Sequence, residues 1–142
     1  MSRRDFLERV AIVAGAIIAA GCGAAGDVTG VGSEPIPGGA LTAKLSDYTG
    51  LATVGQPVEL KNASGAASGV AAVRLGPTSF LALGMSCTHE GTKVRITGTT
   101  FTCPNHGARF NTNGAVTLGP ANRALAQRSV VYDDAAQTLT VT

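Results

Sequence analysis

Two short stretches of this 142-residue chain carry its most distinctive chemistry: Cys87-Thr88-His89-Glu90-Gly91 and Cys103-Pro104-Asn105-His106-Gly107. The chain has two histidines and three cysteines, and both histidines and two of the cysteines fall in these stretches. Two thiolates and two imidazoles suit a borderline-soft centre, either one tetrahedral Zn²⁺ or a small iron-sulfur cluster. Zinc modules usually keep like ligands together, as C-x₂₋₄-C followed by a second pair. Here each stretch gives one Cys and one His, in the order C-x-H and then C-x₂-H. That mixed order suits a centre with two unlike metal ions. With the loops face to face, both Cys could hold one iron and both His the other, bridged by two sulfides. Bridging sulfides are anionic and want N–H donors, so Gly91 and Gly107 are expected to let the backbone approach closely, with Pro104 fixing φ beside Cys103.

The pair C-T-H-x-G and C-P-x-H-G, followed by Phe110, resembles the cluster-binding signature of Rieske 2Fe-2S proteins. The resemblance implies one Rieske-type 2Fe-2S cluster. It places Cys87 and Cys103 on the iron that stays ferric, His89 and His106 on the iron that takes the electron, and Gly91 and Gly107 among the cofactor-binding residues. Asn113-Gly114 and Gly119-Pro120-Ala121 resemble the turn and the proline-containing loop that follow in Rieske subunits of cytochrome bc-type complexes. The implied function is one-electron transfer, as a component of an oxidoreductase rather than a catalyst alone. The implied partners are redox proteins, a cytochrome or a quinone-linked complex. Two imidazoles in place of two thiolates remove negative charge and lift the potential from about −400 mV to between about −150 and +300 mV.

Several positions depart from the high-potential pattern. Thr92 and Asn105 align with cysteines that those subunits join as a disulfide, and Ala108 and Phe110 align with a Ser and a Tyr whose hydroxyls lie near the cluster. Glu90 stands where an apolar residue is usual. All of these lower the expected potential. The ferredoxin component of a Rieske oxygenase system, which also lacks the disulfide, is the alternative reading; a zinc-stabilised binding lipoprotein is the third.

The N-terminal residues Ser2-Arg3-Arg4-Asp5-Phe6-Leu7 resemble a twin-arginine export signal, with Arg3 and Arg4 as its pair. The apolar run 10–20 that follows is too short to span a bilayer as a helix. Ala19-Ala20-Gly21-Cys22 resembles a lipobox, which implies cleavage before Cys22 and lipid on its sulfur. Residues 1–21 are therefore expected to be a signal peptide. Residues 22–39, rich in Gly, Ala and Pro, should form a flexible tether, and 40–142 the metal-binding domain. The expected location is the periplasm or the outer face of a membrane, held by the N-terminal lipid or anchor. A net charge of +2 with no basic cluster gives no footprint for nucleic acid.

The elements that must position the two stretches all read as strands, which makes the class all-β: stacked antiparallel sheets with the cluster between two loops at one tip. Strands are expected at 41–45, 58–61, 70–75, 80–85, 93–96, 99–102, 115–118, 129–133 and 137–142, with no helix beyond the leader. Gly76-Pro77-Thr78 joins one hairpin, and the hairpin between the two stretches brings the ligand loops side by side. Phe80, Leu83, Met85, Val94, Ile96, Phe101, Val130 and Tyr132 are the expected core, with Phe110 beneath the second loop.

Overall fold

The computed structural model describes residues 39–142. Arg3, Arg4, Cys22 and nearly all of the expected tether lie outside the described residues.

The apolar runs near 70–75 and 80–85 do not alternate, a pattern suited to strands covered on both faces. They form β3 (Ala67–Arg74) and β4 (Phe80–Gly84), paired antiparallel with Ala71 opposite Leu83 and Val73 opposite Leu81. With β2 (Pro57–Lys61) and the two-residue β9 (Gln127–Arg128) they make a sheet in the order β2-β3-β4-β9. Its two faces feed two cores. Ala71, Leu83 and Met85 join one with Val94, Phe101, Phe110 and both loop cysteines; Val70, Ala72 and Ala82 join the other with Leu41, Leu60, Leu139 and Val141.

Each core is closed by a further sheet. The second lies under β1 (Leu41–Lys44), β10 (Val130–Asp133) and β11 (Thr138–Val141), in the order β1-β11-β10. The first lies under β5 (Arg95–Thr97), β6 (Thr100–Thr102), β7 (Arg109–Phe110) and β8 (Val116–Leu118), in sequence order. Every pairing is antiparallel. The all-β class stands, and the hairpin between the two stretches is β5–β6, with Ile96 opposite Phe101.

Two details differ from the sequence expectation. The first strand stops at Lys44, and the chain continues as single 3₁₀ turns at Leu45–Asp47 and Thr49–Ala52. The turns bury Leu51 and bring the Tyr48 hydroxyl to accept from the Lys61 amide at 3.0 Å, contacts an extended chain there would not make. Phe80, Ile96, Val130 and Tyr132 are half-buried rather than buried, since β5 and β10 are edge strands and Phe80 begins its strand. The remaining expected core residues, Leu83, Met85, Val94 and Phe101, are buried, as is Phe110. No helix among the described residues is long and apolar enough to cross a membrane.

Phe101 is fully buried in the core that contains both loop cysteines. Its truncation to Ala should cost about 3–5 kcal/mol of unfolding free energy, measured by urea unfolding followed by far-ultraviolet circular dichroism. A loss below about 1 kcal/mol would show that the core collapses into the space.

Candidate metal centre

The two cysteine–histidine stretches occupy the tips of two hairpins with one shared backbone plan. The first tip is carried by the bridge pairing Ser86 with Lys93 and by the Val94 amide donating to the Met85 carbonyl at 2.8 Å. The second is carried by β6 and β7, where Thr102 faces Arg109. In the first loop the Cys87 amide donates to the Thr92 carbonyl at 2.8 Å and the Gly91 amide to the Cys87 carbonyl at 2.7 Å. The second repeats this, with Cys103 donating to Ala108 at 2.8 Å and Gly107 to Cys103 at 3.0 Å.

Closing the loops in this way requires φ of +74° at Gly91 and +75° at Gly107, the left-handed region that favours glycine. A Cβ would find open space at Gly107, and at Gly91 would only touch the Ser86 hydroxyl at 3.8 Å. The left-handed conformation by itself therefore favours glycine at both positions.

The shared plan buries the cysteines and exposes the histidines. Cys87 and Cys103 are each 2% exposed and belong to the same buried cluster. Burial raises the Cys87 thiol above its ordinary pKa, against the backbone N–H groups of His89 and Glu90 that favour the thiolate. Burial pushes Cys103 the same way, but there the N–H groups of Asn105 and His106 outweigh it and the thiol falls below its ordinary value. At each sulfur two main-chain N–H groups therefore favour the thiolate. This is a bed suited to anionic sulfur.

His89 and His106 stand at the exposed tip, with ring centroids 5.0 Å apart and planes at 80°. Because the loop frames match, His89 corresponds in position to Asn105, and Glu90 to His106. The two non-histidine members also meet: Asn105 Nδ2 donates to Glu90 Oε2 at 3.0 Å, and the same oxygen lies 3.6 Å from His106 Nδ1. Ligand atoms of His89, Glu90 and His106 fall within 4.8 Å of one another, and neither sulfur belongs to this group. A single tetrahedral ion would bring all four Cys and His ligand atoms within roughly 4 Å of each other. The sulfurs pair in the core and the imidazoles pair at the surface, an arrangement with room for two metals.

All four expected ligands are therefore brought to one place, as is Gly91 with Gly107. Sequence reasoning missed the bonds that hold the loops. Thr88 Oγ1 donates to the Arg123 carbonyl at 2.5 Å, tying the first loop to the segment after cis Gly119-Pro120, and Ser86 Oγ donates to the Gly91 carbonyl at 3.1 Å. The expected turn at Asn113-Gly114 is present. Asn111 Oδ1 accepts from the amides of Asn113 and Ala115, and the Gly114 carbonyl accepts from Leu125 at 2.9 Å. Ala108 and Phe110 are both fully buried.

An all-β domain with two such loops defines a metal-binding class in which sulfur is held in the core and imidazole at the surface. The family model for the Rieske [2Fe-2S] domain matches residues 44–130, and the chain belongs to that family. Membership implies one Rieske-type 2Fe-2S cluster and one-electron transfer with redox partners. The donor set fits, with two thiols on main-chain donors and two accessible imidazoles. Among solved structures, the plasma-membrane Rieske protein PetC3 of the cyanobacterium Synechocystis PCC 6803 is 28% identical, covering 61% of this chain and 85% of its own, with a TM-score of 0.48. The ferredoxin of carbazole 1,9a-dioxygenase from Nocardioides aromaticivorans IC177 is 24% identical over 72% of this chain and 94% of its own, TM-score 0.48. The quaternary ammonium Rieske monooxygenase CntA is 19% identical over 66% of this chain and 29% of its own, TM-score 0.49. No curated protein sequence matches this chain.

Gly107→Ala should destabilise the domain by about 1–2 kcal/mol through backbone strain alone, and Gly107→Asn by less, because Asn tolerates positive φ. Thermal unfolding of the two variants measures the difference. Equal melting temperatures for both variants and the parent would show that the loop closes without this conformation.

Proposed function

We propose that this chain is an exported, membrane-attached one-electron carrier serving a respiratory or cytochrome bc-like oxidoreductase. In this reading Cys87 and Cys103 hold one iron of the cluster and His89 and His106 the other. The observation that carries it is the division of the site into a buried sulfur pair and an exposed imidazole pair. A Rieske-type cluster supplies reversible one-electron chemistry. The chain's own residues do the rest: the amides of His89, Glu90, Asn105 and His106 stabilise anionic sulfur. The core around Phe101 and Phe110 keeps water from the sulfur side. The exposed imidazoles offer their outer nitrogens to a partner or to a proton.

The residues around the site favour a modest potential. Ala108 and Phe110 sit in the same core as both sulfurs and bring no hydroxyl to them. A hydroxyl that binds the reduced state better by about 1–1.5 kcal/mol raises a one-electron potential by about 40–60 mV. Two absent hydroxyls lower it by roughly 100 mV, and the exposed Glu90 carboxylate acts in the same direction. A redox titration of the holoprotein followed by electron paramagnetic resonance should give a Rieske-type spectrum and a midpoint below about +100 mV. His106→Ala should abolish that spectrum. Zinc at full occupancy in protein made with ample iron would overturn the assignment, and a midpoint near +300 mV would restore a high-potential, quinol-oxidising role.

Export and attachment rest on the sequence: Arg3 and Arg4 in the twin-arginine-like leader, and Cys22 after Ala19-Ala20-Gly21. A diacylglycerol carries two chains, enough for stable anchoring where one gives only marginal binding. Cys22→Ser should therefore move the protein from membrane to soluble fractions on cell fractionation. An unchanged distribution with unchanged mass would show that lipid on Cys22 is not the anchor.

A further inference from the structure

Four residues form a cross-strand row at the base of the second metal loop: Arg95, Thr102, Arg109 and Leu118, one from each of β5 to β8. Directly opposed residues share a sheet face. The adjoining row, Ile96, Phe101, Phe110 and Val116, faces the core, so the arginine row faces solvent; a register shift between Arg109 and Phe110 lets Leu118 join the outer row although Val116, two residues earlier, packs on the core. Arg95 and Arg109 are exposed, and Leu118 is 53% exposed. With strands about 4.8 Å apart, the two arginine backbones stand roughly 10 Å from each other across β6. Thr102 immediately precedes Cys103, and Arg109 immediately follows Ala108, whose carbonyl closes the loop. Arg95 also lines an open groove bordered by Thr92 and Pro104, which brings it to the margins of both metal loops; Glu59 lines the same groove but is paired with Lys93.

The charge of this row is unbalanced. No acidic residue occurs in β5 to β8. Neither arginine takes part in the Lys93–Glu59 ion pair or in the contact of Glu90 with His106. Two exposed guanidiniums outside these pairs, beside an exposed leucine, match the composition that interfaces favour, with Arg enriched and one apolar side chain to cover.

We propose that this row docks the acidic face of a redox partner protein, whose carboxylates pair with Arg95 and Arg109 while an apolar contact covers Leu118. The proposal rests on the electron-carrier reading and adds the kind of partner it serves. Electron transfer falls off steeply with distance. A recognition surface at the loop base holds a partner against the imidazole tip without occupying the tip itself. Charge recognition of this kind acts chiefly on the rate of encounter and is screened by salt.

The test follows oxidation of the reduced holoprotein by stopped flow. One acceptor is cytochrome c whose lysines have been succinylated, an acidic haem protein; the control is unmodified, basic cytochrome c. The acidic acceptor should react faster at low ionic strength and slow as salt is added. Arg95→Gln with Arg109→Gln should lower its rate constant roughly ten-fold at low ionic strength. The same variant should keep the resonance spectrum and its rate with a small neutral oxidant. A rate with the acidic acceptor that the double variant leaves unchanged would overturn the proposal. So would a double variant that lost only co-sedimentation with phosphatidylglycerol vesicles, since the row would then be a lipid contact. If the unaltered holoprotein exchanged no electron even with the neutral oxidant, the electron-carrier reading itself would fall, and the docking surface with it.

Discussion

Sulfur out of water can carry charge only where donors are aimed at it, and here the donors are main-chain amides. Much else in the structure follows from that need. Main-chain amides favour charge on each sulfur, in loops that fold back on their own cysteine carbonyls because a glycine supplies the left-handed residue. The loops meet because β5–β6 joins them and the first core packs beneath both. That core is closed on its far side by β3 and β4, whose opposite faces must in turn be covered, and β1, β10 and β11 cover them. The outermost sheet is thus two layers away from the sulfurs and still necessary to them.

The site is polarised along a single direction. At its inner end the sulfurs belong to a packed apolar core, and at its outer end two imidazoles and a carboxylate meet solvent. An electron carrier benefits from both. The inner end excludes water and fixes geometry, which limits reorganisation when charge arrives, and the outer end provides a short route to a partner. The same direction explains why a thiol and an imidazole in one loop, only two residues apart, experience such different surroundings.

The chemistry of this chain was legible because it is local. Cys87, His89, Cys103 and His106 announce themselves by type and spacing, and the non-alternating runs in β3 and β4 announce strands covered on both faces. The strands β7 and β9 were not legible, because two residues cannot display a period and both are held by a neighbour rather than by propensity. The 3₁₀ turns after Lys44 were missed for a related reason: Leu51 and Tyr48 find their partners across the sheet, not along the chain. Thr88 with Arg123, and Asn105 with Glu90, are contacts between segments distant in sequence. In the sequence Glu90 is simply a charge where an apolar residue is usual, and only the fold shows that it bridges the two loops.

The matching frames of the two loops turn the tip into a set of interchangeable sockets. Each loop offers the same two outward positions after its cysteine; one loop fills the first with imidazole, the other the second. The ligand pattern is therefore written in side chains on a duplicated scaffold. An imidazole moved from one socket to its neighbour would meet the same backbone frame but displace a member of the Asn105–Glu90 pair, so the side chains that fill the empty sockets also clasp the two loops together.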